Sequence, residues 1–298
     1  MALLAAVDPS PWTFHAHPDV WAVVLTLAGA YYLAVTRFAG ASDVTTAKQK
    51  ASFATGVVLL WAFADWPMHD LSERFLFSAH MVQHLVFSLI VAPLLVMGTP
   101  PWLLRRIARP AAIGNTLRVI AKPIPATLLF NAIVVITHLP PYVDLSVRNE
   151  MVHLFAHFVL VVVSLVMWLP VINRLPELPS LSVPGSMLYL FVQSIVPTVP
   201  ASFMAFATRP LYRAYIDAPH PWIGAVEDQQ LAGAIMKVGG GALLWGSIIY
   251  LFFRWYSRGA EGGDVLTWAE VEAELAKAEL GKAEFAANGR AEVTPSGS

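Results

Sequence analysis

The chain has 298 residues, of which 57% are hydrophobic and only 13% charged, against about a quarter charged in a soluble globular protein. Its net charge of −1 offers no basic field for nucleic acid, and the lack of cysteine excludes disulfides, iron–sulfur clusters and thiolate chemistry. This is the composition of an integral membrane protein in which any soft metal must be held by the nine histidines and nine methionines.

About 20 apolar residues of helix cross roughly 30 Å of hydrocarbon, and seven such stretches follow one another. The first runs from about Val20 to Val35. The second, about Ala51 to Ala64, is short and ends at Asp65-Trp66-Pro67. The third, Phe75 to Met97, is the longest clear one. The fourth runs from about Ile124 to Thr137, the fifth from Met151 to Leu169, the sixth from about Gly185 to Ala207 and the seventh from about Gln229 to Phe253. Barrel strands need only about ten alternating residues, so the lengths argue for helices. The sequence therefore predicts an all-α polytopic membrane bundle of seven transmembrane helices over residues 20–258. A segment of residues 1–19 precedes it and a tail of residues 259–298 follows.

Eleven Lys and Arg residues, from Arg37 to Arg258, fall in connections 1–2, 3–4 and 5–6 and just after span seven; only Arg74, Arg148, Arg209 and Arg213 fall on the other side. The positive-inside rule places the N-terminus outside and the C-terminus in the cytoplasm. Carboxylates including Asp65, Asp70, Glu73, Asp144, Asp217, Glu227 and Asp228 mark the outer side, which should attract cations. Residues 1–7 lack a basic flank and make a poor signal peptide. Gly98–Lys122 alternates basic and apolar residues and is expected along the cytoplasmic membrane surface. In the tail, Thr267-Trp268-Ala269-Glu270 fits a helix capping box, followed by a short helix to about Ala287 and a disordered end.

Ionisable residues inside a span are costly, and function is the first hypothesis for them. Span three holds His80 and His84, and span five holds His153 and His157. Each pair is spaced i, i+4, so both rings leave one helical face. By rise per residue all four lie within roughly 14 Å of the outer boundary. His138 ends span four on the same side, and His69 and His220 lie in outer connections. His15 and His17, before span one, are expected to sit solvated at the interface. Imidazole suits copper, zinc, iron and nickel, and thioether selects Cu(I), which adds Met81 and Met236 to the candidate ligands. A single intramembrane histidine also serves as a hydrogen-bonded packing residue, and methionine fills cores. Asp228 is expected to cap span seven. Lys237, roughly 12 Å inside that span, is expected to face the bundle interior and to require a carboxylate, carbonyl or water.

At these residues the chain resembles a known family. Ser78-x-His80-Met81-x-Gln83-His84, then Ala92-Pro93-Leu94-Leu95 and Gly98-x-Pro100, is similar to the signature of the seven-span CtaG-type cytochrome c oxidase assembly factors. The resemblance continues through His138-x-Pro140-x-Tyr142, His153-x-x-x-His157, Trp168-x-Pro170, Asp228-Gln229-x-x-Ala232-Gly233-x-x-Met236 and Leu266-Thr267-Trp268, covering nearly the whole chain in order. It implies a non-enzymatic role in maturing a haem–copper oxidase at the bacterial inner membrane, with copper, as Cu(I), handled on the outer side. The implied partners are oxidase subunits and an external copper chaperone, besides the lipid bilayer. The residues carried by the resemblance are His80, His84, His138, His153, His157 and Asp228.

Three other functions fit parts of the pattern. A haem-binding electron-transfer protein would use bis-histidine ligation across spans three and five. A metal permease would need polar residues in the cytoplasmic halves, which are lacking. A retinal protein would need a carboxylate counter-ion for Lys237, and span three has no Asp or Glu between Phe75 and Met97.

Overall fold

Caps and prolines set the helix boundaries. α1 (Pro18–Arg37) opens on proline, where no backbone N–H is required. α2 (Ala47–Ala64) opens on a capping box, in which the Thr46 hydroxyl accepts from the Gln49 N–H and the Gln49 side chain accepts from the Thr46 N–H. α3 (Met68–Phe75) then turns off at 52°. The computed structural model describes residues 12–172, 175–216, 218–219 and 222–261, with Trp268, Glu272 and Lys277, and every regular element among them is helical.

The remaining helices are α4 (Phe77–Gly98), α5 (Pro101–Ile107), α6 (Ala111–Ile120), α7 (Pro123–Thr137), α8 (Pro140–Arg148), α9 (Glu150–Ile172), α10 (Val183–Ile195), α11 (Thr198–Phe206), α12 (Arg213–Ile216) and α13 (Ala225–Glu261). All seven apolar stretches expected from sequence fall on helices. Five are long and apolar enough to cross a membrane by themselves: α1, α4, α9, α10 with α11, and α13. The second and fourth are shorter, and the count reaches seven only if α2 with α3 and α6 with α7 each make one bent crossing. α6 meets α7 at 87°, the geometry expected of a surface helix that feeds a span. The chain is a multi-pass membrane protein. Residues 1–249 and 250–298 form two compact units, and the site lies in the first. In the second, Trp268, Glu272 and Lys277 are helical; the capping box at residues 267–270 and the end beyond lie outside the described residues, as do His220 and Asp217.

α4 is the most enclosed span and packs against α2, α9 and α13. Val86, Phe87, Val91 and Leu95 on α4 join Phe53, Val57 and Leu60 of α2 and Val20 and Val24 of α1 in one core. Leu25, Tyr32, Ile124, Phe203 and Val238 lie exposed on the outer faces, as suits residues whose solvent is hydrocarbon.

A wide π turn, Val86–Val91, interrupts α4 directly after His84. Its cause is legible in the sequence. Pro93 has no N–H and its ring crowds the carbonyl one turn back, so the local ladder shifts and the Ala92 N–H reaches Phe87 O instead of Ser88 O. In that register the Ser88 carbonyl would pair with Pro93, which cannot donate. The Trp168 indole of α9 fills the gap at 2.9 Å, and this ties α9 to α4 beside the histidines.

Gly233 brings α13 against α11: a Cβ there would lie 2.5 Å from Ala205 N and 2.6 Å from Ala201 O. A Cβ at Gly241 would meet nothing within 4 Å. Gly233→Val should therefore cost about 1–3 kcal/mol, read as a lowered unfolding midpoint in detergent. Gly241→Ala should melt with the parent protein; equal melting of both variants would show that this helix contact is not tight.

Candidate metal centre

α4 carries no cap of its own. Leu76 before it is extended, which leaves the first amide groups of the helix pointing into the bundle. Asp228 of α13 supplies the cap from 151 residues away: its Oδ2 accepts from the Phe77 N–H at 2.6 Å and its Oδ1 from the Ser78 N–H at 3.1 Å. Asp228 is 1% exposed. A buried carboxylate at a helix N-terminus is favoured by the helix dipole and by two charge-assisted hydrogen bonds. The cap expected for span seven is in fact the cap of span three, and it fixes the helix that presents His80 and His84.

His80, His84 and His157 each offer a ring nitrogen, and these atoms lie within 4.8 Å of one another. His84 Nε2 is 3.2 Å from His157 Nε2. Two imidazole nitrogens on one tetrahedral ion at roughly 2.0–2.1 Å would be roughly 3.3 Å apart, so this pair already has ligand spacing. His153 stands with its ring centroid 4.3 Å from that of His157 and 5.4 Å from that of His80, and His138 stands 5.5 Å from His84. The four histidines paired by spacing come together, and His138 joins them.

Several ring nitrogens in this group are buried without a hydrogen-bond partner among the described residues: His80 Nδ1, His84 Nδ1, His138 Nε2 and His153 Nδ1. Buried polar atoms are nearly always paired. His138 shows the pattern most clearly. Its Nδ1 lies 2.6 Å from the Val134 carbonyl, which holds the ring proton there and leaves the buried Nε2 with a free lone pair. The His138 carbonyl in turn accepts from the Tyr212 hydroxyl at 3.1 Å. Burial, reinforced by Asp144, holds the Tyr212 phenol above its ordinary pKa, so it remains a neutral donor.

The other predicted residues divide. Met81 and Met236 line one small cavity with His84 and His138. Gln83 is a strut, its amide donating to the Phe63 carbonyl of α2 at 2.6 Å. His69 lies 3.1 Å from Glu73 Oε1, and the same oxygen is 3.1 Å from His153 Nε2. Sequence marks that carboxylate only as one of the outer-side acids; its i, i+4 spacing from His69 is the signal that links the two. Two expectations are corrected. Lys237 is exposed, not interior, and has no ion pair among the described residues; its ammonium lies 3.3 Å from Ser202 Oγ and over the Phe206 ring of α11. His15 and His17 are only partly exposed: they fold onto buried Asp70, His15 Nδ1 at 3.2 Å and His17 Nε2 at 3.7 Å from its Oδ2.

Residues 29–258 match the family model of the cytochrome c oxidase caa3 assembly factor, Caa3_CtaG. The chain belongs to this assembly-factor family. The matched region contains every clustered histidine except His15 and His17. No curated protein and no solved structure matches the chain. The resemblance read from the histidine motifs is thus borne out at the level of the family, whose members act in cytochrome c oxidase assembly.

For this family member the Asp228 cap is the most exposed point of failure. Asp228→Ala would leave two buried N–H groups unpaired, at about 1–3 kcal/mol each, and should lower the unfolding midpoint in detergent. Asp228→Asn keeps one acceptor oxygen and should lose less. If the alanine variant is as stable as the parent, the cap contributes nothing to holding α4.

Proposed function

We propose that the protein is a copper-handling assembly factor and not an enzyme. It binds Cu(I) as cargo among His80, His84 and His157, with His153 and His138 alongside, and passes it to a cytochrome c oxidase subunit by ligand exchange. The observation that carries this reading is the crowding of five neutral-capable imidazoles, several with unpartnered buried nitrogens, inside an apolar bundle. Imidazole with thioether is the soft donor set of a chain without cysteine, and Met81 and Met236 stand at the adjoining cavity. Neighbouring rings 4.3–5.5 Å apart suit movement of an ion by exchange of one ligand at a time.

The same reading takes all seven stretches as spans, with the N-terminus outside and the C-terminus in the cytoplasm of a bacterial plasma membrane. The sorting of Lys and Arg supports it, as does the gathering of the eight described histidines at one connected site. Copper is favoured over haem because His84 and His157 are in direct contact at 3.2 Å, which leaves no room for a porphyrin between two axial rings.

Protein purified in detergent should bind one Cu(I) per chain against a competing chelator. His84→Ala combined with His157→Ala should weaken that binding about 100-fold or more, about 2.8 kcal/mol. Retention of parental affinity would overturn the site assignment. In a deletion strain, normal copper content of the oxidase with the double variant would overturn delivery while leaving a role in assembly.

A further inference from the structure

The histidines of the N-terminal segment lie outside the cluster just described, yet they are not idle. His17 and His69 face each other with ring centroids 4.0 Å apart, and Asp70 lies beneath them, 2% exposed. One nitrogen or oxygen from each of the three lies within 4.8 Å of the others. His17 Nε2 and His69 Nδ1 are both buried and lack a hydrogen-bond partner among the described residues. We propose that His17, His69 and Asp70 form a second metal site, one that takes a divalent transition-metal ion in front of the histidine cluster.

The surroundings of the three residues support this. Glu73 Oε1 lies 3.1 Å from His69 Nε2. A carboxylate at one ring nitrogen keeps the proton there and leaves the other nitrogen free to ligate, the arrangement seen behind most metal-bound histidines. That free nitrogen is Nδ1, the buried one. Asp70 Oδ2 lies 3.2 Å from His15 Nδ1 and 3.7 Å from His17 Nε2, so this oxygen faces the histidines of the N-terminal segment. Arg74 Nε approaches the other oxygen, Oδ1, at 3.4 Å from a side chain that is 41% exposed, which leaves Oδ2 to the histidines. Two imidazoles and a carboxylate are harder donors than the all-imidazole group within, and they suit Zn²⁺, Cu²⁺ or Ni²⁺ better than Cu(I).

The two sites are joined through one atom. Glu73 Oε1 touches His69 of the outer group and His153 of the inner one. An unbroken series of potential ligands therefore runs from the N-terminal segment to His138. The outer site rests on different residues from the copper reading and stands or falls separately.

The test uses the full chain in detergent, stripped of metal and titrated with Zn²⁺ alone. With His84→Ala and His157→Ala in place, one Zn²⁺ equivalent should remain. Adding His17→Ala and His69→Ala should remove it. Asp70→Asn, which keeps the side-chain shape, should weaken it at least about 10-fold; circular dichroism and melting of each variant report folding. Cu²⁺ at the same site should show nitrogen hyperfine splitting from two imidazoles by electron paramagnetic resonance, lost in the His17/His69 variant. The proposal is overturned if the His84/His157 variant retains no Zn²⁺, or if folded protein lacking His17 and His69 still holds the equivalent. Failure of the parent protein to bind Cu(I), with retention of this Zn²⁺, would leave the outer site intact and refute only the inner one.

Discussion

Two hydrogen bonds from the Phe77 and Ser78 amides to Asp228 hold the centre of this protein in register. A helix that begins inside an apolar bundle has no water for its first amide groups. Without a partner those groups would force α4 to fray or to withdraw toward the surface. The carboxylate of α13 removes that cost, and in a low-dielectric setting its charge strengthens both bonds. Because His80 and His84 follow the cap within two turns, and Met236 lies eight residues beyond Asp228 on the other helix, one contact sets the relative depth of residues from both helices. The histidines of α9 are then brought level by the Trp168 bond to Ser88.

Departures from regular helix occur where the site needs them. The three π turns, Leu71–Phe75, Val86–Val91 and Ile235–Gly239, respectively carry Glu73, follow His84, and carry Met236 and Lys237. One inserted residue rotates the following face by roughly 100°. Met236 is buried, while Lys237, one residue and about 100° further round the helix, reaches Ser202 and Phe206. Such turns weaken the backbone ladder and persist where surrounding contacts hold them, as Trp168 does for Ser88.

Polar groups elsewhere in the bundle find partners. Asp65 accepts from the indoles of Trp21 and Trp61 at 2.7 and 2.8 Å, tying α1 to α2. Asn131 of α7 donates to Gln193 of α10, which donates to Thr127. Against that background, most of the buried atoms without a hydrogen-bond partner among the described residues are ring nitrogens, on His17, His69, His80, His84, His138 and His153. A bundle that pairs its structural polar groups and leaves imidazoles unpaired has the donors of a binding site.

The sequence alone determined the all-helical membrane class, the positions of the apolar stretches, the family and the histidine pairs, because hydropathy and i, i+4 spacing are local properties of the chain. It also contained the cause of the α4 π turn, in Pro93. It did not determine that Asp228 caps a different helix, that Glu73 joins His69 to His153, that His15 and His17 close onto Asp70, or that Lys237 turns outward. Each of these depends on which helices become neighbours. Residues 150 positions apart carry no local pattern that marks them as partners, and only packing of the helices decides which orphaned amide meets which carboxylate.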